Sequence, residues 1–191
     1  MEILIRSFLF LGYALVFCAV ARAATLDGVT MPDSRMIDGR AMQLNGIGLR
    51  TYSFLGIKIY IAGLYLEQKS DNADGILHSS EQKLLDFRFL RDVSSEDARK
   101  AWVEGFNDNC RLPACRLDPA DVNRFLAAVP VIRKGDETQL LFNAKGVEVS
   151  LNGRPLGIIP DTRFAEVVLA TFIGAVPATP RLKTELLGGR E

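Results

Sequence analysis

Histidine is almost missing from this chain: His78 is the single copy in 191 residues. A protein zinc site draws on about four His, Cys or carboxylate ligands held together. A hydrolytic triad needs an imidazole beside its nucleophile. Neither chemistry finds its parts here, and His78 falls in what reads as a polar loop. Cysteine is scarce too, limited to Cys18, Cys110 and Cys115. No Gly-x-Ser-x-Gly elbow and no phosphate-cradling glycine loop occurs, and Gly46-x-Gly48 lacks a third glycine and a following helix. Neither a cofactor nor a metal is therefore expected. An excess of one charge is also absent: 23 basic and 23 acidic residues cancel, and no basic stripe of the kind that binds nucleic acid is present. Beyond the first two dozen residues, no apolar run approaches the roughly 20 residues of a membrane-spanning helix. Internal repeats, low-complexity tracts and long linkers are missing as well, so one domain is expected.

What is present begins with a leader. Arg6 precedes an apolar run over residues 8–20, and Ala21-Arg22-Ala23 follows. A basic start, a short apolar core and an Ala-x-Ala ending make a secretory signal peptide over residues 1–23, cleaved after Ala23. Read as a membrane anchor, the run is too short. Read as a lipoprotein anchor, Cys18 has the bulky Phe17 where that processing wants a small residue. Cleavage leaves 191 − 23 = 168 residues, a domain over 24–191, with a net charge of 21 − 22 = −1. That length suffices for a full hydrophobic core, and the destination is the periplasm or the exterior. In such an oxidising compartment Cys110 and Cys115, with Arg-Leu-Pro-Ala between them, are most simply a local disulfide after a helix. The alternative of a redox or metal pair is weaker, because the spacing is not Cys-x-x-Cys.

Residues 84–90 alternate Leu85, Phe87 and Phe89 against Asp86 and Arg88, the pattern of a half-exposed strand. Ser94 or Ser95 caps a helix to about Asn107, with Ala98, Ala101, Trp102, Gly105 and Phe106 at helical spacing. Asp118-Pro119 starts another helix, whose stripe is Val122, Phe125, Leu126 and Val129, and Pro130 stops it. A strand at 138–142 precedes two more at 147–151 and 155–159, joined at Asn152-Gly153, a strong hairpin signal. Asp161 caps a helix carrying Phe164, Val167, Val168, Thr171 and Phe172, ended by Gly174, and a short helix holds Leu182, Leu186 and Leu187. Strands in hairpin order with helices gathered between them predict an α+β fold with a mostly antiparallel sheet.

The most informative stretch runs from Asn45 to Glu67 and reads as two adjacent strands joined at Gly56. After Gly56, Ile57, Ile59, Ile61, Gly63 and Tyr65 take one face, and Lys58, Tyr60, Ala62, Leu64 and Leu66 the other. A return through the turn brings the Arg50 guanidinium beside Lys58 and Tyr60. A planar cation and a phenol at the mouth of an apolar sheet suit a carboxylate or enolate with a greasy tail. The alternative is that Arg50 is neutralised by Glu67 or Asp86 and Tyr60 is a plain strand residue.

This stretch resembles the chalcone isomerase fold family, in particular its bacterial chalcone isomerase-like members. The matching residues are Gly46-x-Gly48-x-Arg50 and Lys58-Ile-Tyr60-Ile-Ala-Gly63-Leu-Tyr65-Leu66. Phe87-Arg-Phe-Leu-Arg-Asp-Val93, Lys134-Gly-Asp136, Asn152-Gly153, Phe172-Ile-Gly174 and Leu182-Lys-x-x-Leu-Leu-Gly188 continue the resemblance. It implies a broad, mostly antiparallel sheet covered by a layer of helices, with the ligand in a cleft between them. Trp102, Phe106, Phe164 and Phe172 then either wall that cleft or are simply core. The resemblance also assigns roles. Plant isomerases bind the chalcone phenolate beside an arginine, which Arg50 matches, while a tyrosine–water network supports the reaction. Tyr60 stands near the isomerases' threonine, two residues closer to the arginine, and matches the tyrosine with which fatty-acid-binding members hold a carboxylate. The catalytic tyrosine of the isomerases falls at Ala98 or Trp102, and no tyrosine follows Tyr65. The expectation is a non-catalytic binding protein for a fatty acid or similar hydrophobic carboxylate held by Arg50 and Tyr60. Two alternatives stay open. One is an isomerase or lyase on an enolisable substrate, with Arg50 stabilising an oxyanion and Tyr60 as acid or base. The other is a partner-binding accessory protein whose cleft is filled by its own side chains.

Overall fold

The computed structural model describes residues 22–52, 55–111 and 113–189. The expected leader lies outside the described residues except for its last two. Strand β1 (Ala23–Leu26) pairs with β2 (Val29–Pro32) as a separate hairpin. Seven strands then form one antiparallel sheet in sequence order: β3 (Ser34–Ile37), β4 (Arg40–Tyr52), β5 (Ile57–Leu66), β6 (Lys83–Phe89), β7 (Glu137–Asn143), β8 (Gly146–Leu151) and β9 (Arg154–Ile159). Five helices are interleaved: α1 (Ala73–His78) before β6, α2 (Ser95–Asn109) and α3 (Pro119–Ala128) before β7, and α4 (Thr162–Ile173) and α5 (Pro180–Leu186) at the end. The α+β class and the antiparallel sheet agree with the expectation.

The helix starts are chemically explicit. Ser94 accepts from the Asp97 amide, Asp118 from Ala120, and Asp161 from both Arg163 and Phe164, each satisfying amides that a helix end leaves without partners. The turn between β8 and β9 places Asn152 at φ 50° and Gly153 at φ 75°, the double left-handed conformation that this dipeptide tolerates. His78 is the last residue of α1 rather than part of a loop, between Asp74 and Glu166.

The sheet buries both faces. One carries Ala62, Leu64, Leu66, Leu85, Phe87, Leu140 and Phe142 under the helices. The other carries Met42, Leu44, Ile61, Tyr65 and Leu84 around Met31 of the β1–β2 hairpin. The expected half-exposed character of β6 is therefore corrected. Asp86 is fully buried, because the second face holds two arginines against it instead of water. Ala101, placed on the buried stripe of α2 by its spacing, is exposed; the stripe narrows to Ala98, Trp102, Gly105 and Phe106.

The disulfide forms as expected. Cys110, the C-cap of α2, is bonded to Cys115, which is buried in the helical-face core. It fixes the path of the chain between α2 and α3, beside the aromatic packing described next.

Candidate functional site

Two bulges in the β4–β5 pair decide what reaches the site. The first, at Asn45, turns the chain so that Leu44 faces the hairpin while Gly46, Gly48 and Arg50 face the helices. The Asn45 side chain holds this bulge, donating to the Ser70 and Leu186 carbonyls and accepting from the Ser70 amide. Glycine at 46 and 48 then admits α5. A Cβ at Gly48 would stand 2.6 Å from Glu185 Oε2 and 2.7 Å from Leu182 Cδ1, inside contact distance. Glu185 Oε2 accepts from the Leu49 amide at 2.9 Å, so α5 is bonded to β4 one residue before Arg50.

The second bulge lies at Ile59. Arg50 sits opposite Tyr60, but Thr51 sits opposite Lys58, so Ile59 has no counterpart. Of the two residues expected beside Arg50, Tyr60 lies directly opposite it and Lys58 does not. The expectation that Lys58 shares Tyr60's face is corrected: the extra residue swings Lys58 away, and its ammonium reaches Asp27 in the β1–β2 turn at 2.7 Å.

Arg50 is half-buried and forms no hydrogen bond or ion pair with a described residue. Neither carboxylate suspected of neutralising it does so. Glu67 is held by Arg40 at 2.7 Å, and Asp86 by Arg35 at 2.6 Å and by Arg88. Burial pushes the Tyr60 phenol above its ordinary value of 10.0, while the nearby Arg50 charge pulls it back. Tyr60 is therefore a neutral hydrogen-bond donor at neutral pH beside a permanent cation. A guanidinium and a phenol are both donors to which a carboxylate is a chemically suitable acceptor.

Behind Tyr60 the helical face is aromatic. The Tyr60 ring meets Phe87 at 5.1 Å and Phe89 at 5.3 Å between centroids; Phe87 meets Phe172 at 5.4 Å; Phe172 meets Trp102 at 5.7 Å. Trp102 packs edge-on to Phe125 at 4.8 Å, and Phe106 meets Phe164 at 5.3 Å. Phe106, Phe164 and Phe172 are buried, so these rings are core, and Tyr60, Phe87, Phe172 and Trp102 form one continuous apolar path away from Arg50. A depression of about 450 Å³ lies on the opposite face of the sheet beside Ile37, Leu84, Gln139, Leu141 and Ile158. A tail entering behind Tyr60 has to part rings already in contact. Ala98 and Trp102, where the resemblance looks for a catalytic tyrosine, both pack against this core and offer no hydroxyl.

Sequence reasoning missed the charged cluster on the second face. Asp86 bonds Arg35 and Arg88, Glu137 bonds Arg88 at 3.0 Å, and the Arg35 guanidinium lies 5.2 Å from the centre of the Tyr65 ring. An aspartate between Leu85 and Phe87 was the available signal. Groups of His, Cys, Asp and Glu able to hold a metal are absent among the described residues.

The sequence profile of the family described as chalcone isomerase-like matches residues 23–188. No curated protein sequence matches the chain. Among solved structures, the fold is similar to that of an Arabidopsis thaliana fatty-acid binding protein, with a TM-score of 0.73 and 16% identity over 87% of this chain and 96% of that one.

Proposed function

The chain belongs to the chalcone isomerase-like family, and we propose that it binds a fatty acid or similar hydrophobic carboxylate, without chemistry, through Arg50 and Tyr60. The observation that carries this reading is Arg50: a half-buried guanidinium opposite a phenol whose burial keeps it protonated, with no ion pair to a described carboxylate. A partly desolvated cation with no ion-pair partner among the described residues is costly to maintain, and a bidentate carboxylate relieves that cost. The ligand chain would follow the path of Phe87, Phe172 and Trp102, where each buried methylene contributes about 0.8 kcal/mol. The fatty-acid binding described for the Arabidopsis neighbour supports the ligand class.

The protein acts in the periplasm or outside the cell, after removal of residues 1–23. The Cys110–Cys115 disulfide supports an oxidising compartment, and no described helix is long and apolar enough to cross a membrane.

Calorimetric titration with straight-chain fatty acids tests the site. Loss of the charge-assisted bonds in an Arg50→Ala, Tyr60→Phe variant should weaken binding by more than about 20-fold. A smaller loss removes Arg50 and Tyr60 from the site. The tight ring packing behind Tyr60 favours a second reading, an accessory protein whose cleft is filled by its own side chains. That reading predicts no uptake of any fatty acid.

A further inference from the structure

The seven-strand sheet ends in two unlike edges. The β9 edge carries Pro155 and packs against α3. The β3 edge has no proline, and its register fixes where its backbone points. The β3–β4 turn is Asp38-Gly39, left-handed at φ 49° and 77°, so Ile37 and Arg40 close a two-residue hairpin as a hydrogen-bonded pair. Such pairs alternate along an antiparallel ladder. The Leu44 amide, donating to the Asp33 carbonyl at 2.8 Å, continues the same alternation. The amide and carbonyl of Met36 therefore turn away from β4, toward the unpaired edge.

That edge looks into a trough. Arg35, Met36, Ile37 and Asp38 border one stretch of it, with Gln139 of β7 across the gap. Side chains alternate along a strand, so consecutive bordering residues mean that the space runs along the β3 backbone rather than over one face. Past Ile37 and Gln139 the trough continues as the depression of about 450 Å³ beside Leu141 and Ile158. Met36 is 69% exposed and Ile158 46%. The charge left over here is negative. Arg35 is taken up by Asp86, whereas Asp38 and Glu148, which also border the trough, form no ion pair with a described residue. Glu148 accepts from the Asn143 side-chain amide.

We propose that an extended, apolar peptide segment of a partner protein, carrying basic residues, adds to β3 as a further strand. Its main chain pairs with Met36, its apolar side chains rest on Leu141 and Ile158, and its cations meet Asp38 and Glu148. Strand addition of this kind takes affinity from the main chain and selectivity from alternate side chains, and the two carboxylates favour a basic segment over an acidic one. A second copy fits poorly, because its own β3 edge is recessed in the same trough and neither edge reaches the other. The trough lies on the opposite face of the sheet from Arg50 and Tyr60 and does not rest on the fatty-acid reading.

Fluorescence anisotropy of the mature protein with a labelled, end-blocked peptide of alternating lysine and valine tests the proposal. The peptide should bind, and a glutamate–valine counterpart should bind at least about tenfold more weakly. N-methylation throughout the lysine–valine peptide removes its main-chain donors while keeping its charge, and should cost a similar factor. On the protein, Met36→Pro withdraws the outward amide and should weaken binding at least about tenfold. Ile158→Lys, at a side chain already half in solvent, should do the same with the fold intact. Asp38→Asn with Glu148→Gln should weaken binding and flatten its salt dependence. Fatty-acid titration reads the other face and should be unchanged in each variant. No binding of the lysine–valine peptide, equal binding of its methylated or glutamate form, binding unaffected by Ile158→Lys, or a dimer that Ile158→Lys abolishes overturns the proposal.

Discussion

The two faces of the sheet treat arginine in opposite ways. On the hairpin face, Arg35 and Arg88 close around the buried Asp86, with Glu137 completing the group. On the helical face, Arg50 sits opposite Tyr60 and meets no carboxylate among the described residues. A cation answered by the fold holds the fold together. A cation left without an answer in a half-buried place stays available to something outside it. The same reasoning removes Lys58 from the candidate site, because Asp27 already partners it.

The comparison breaks most sharply if the hairpin face tolerates loss of its carboxylate. Asp86→Ala removes the buried carboxylate between two partly buried guanidinium groups, leaving them only Glu137, and should cost about 3 kcal/mol in urea unfolding. Arg50→Ala in the same assay should stay within about 1 kcal/mol, since it breaks no ion pair among the described residues. Equal costs would mean that Arg50 is also structural.

The support under the site comes next. Gly48→Ala drives a methyl group into Glu185 and Leu182 of α5, and overpacking of this kind should cost about 1–3 kcal/mol. Because α5 is bonded to β4 at Leu49, this variant should also weaken ligand binding, whereas a substitution in the hairpin should not.

The smallest effect is electrostatic. Tyr60 titrates above 10.0 in the folded state, with burial raising it and Arg50 lowering it. A folded value above the unfolded one means that stability falls as pH rises from about 10 through the folded value. Arg50→Ala removes the lowering influence, so ultraviolet titration of tyrosinate should show one phenol moving further up. No movement would separate the two side chains.

Much of this architecture was legible because its signals are local. Asn152-Gly153 specifies its turn through backbone conformation alone, Asp161 and Asp118 announce helix starts, and the strict alternation after Ile59 reports β5. The remainder depends on partners far along the chain. Strands β1, β2 and β3 are only four residues each, too short for a period to stand out. Asp86 reads as solvent-facing until Arg35, fifty-one positions earlier, is placed on it (86 − 35). The Ile59 bulge, which redirects Lys58, arises from pairing with β4 and leaves no mark in the alternation of residues 57–66. The pairing of Arg50 with Tyr60 was readable from the hairpin, but the lack of a carboxylate partner for Arg50 among the described residues emerged only once Arg40 and Arg35 were seen to hold Glu67 and Asp86.

Native mass spectrometry of the purified mature protein, followed by solvent extraction and lipid analysis, tests the central claim most directly. The account predicts a stoichiometric fatty acid or similar amphipathic anion on the wild type, missing from Arg50→Ala. A clean apo mass with no uptake from an added panel of fatty acids would contradict it.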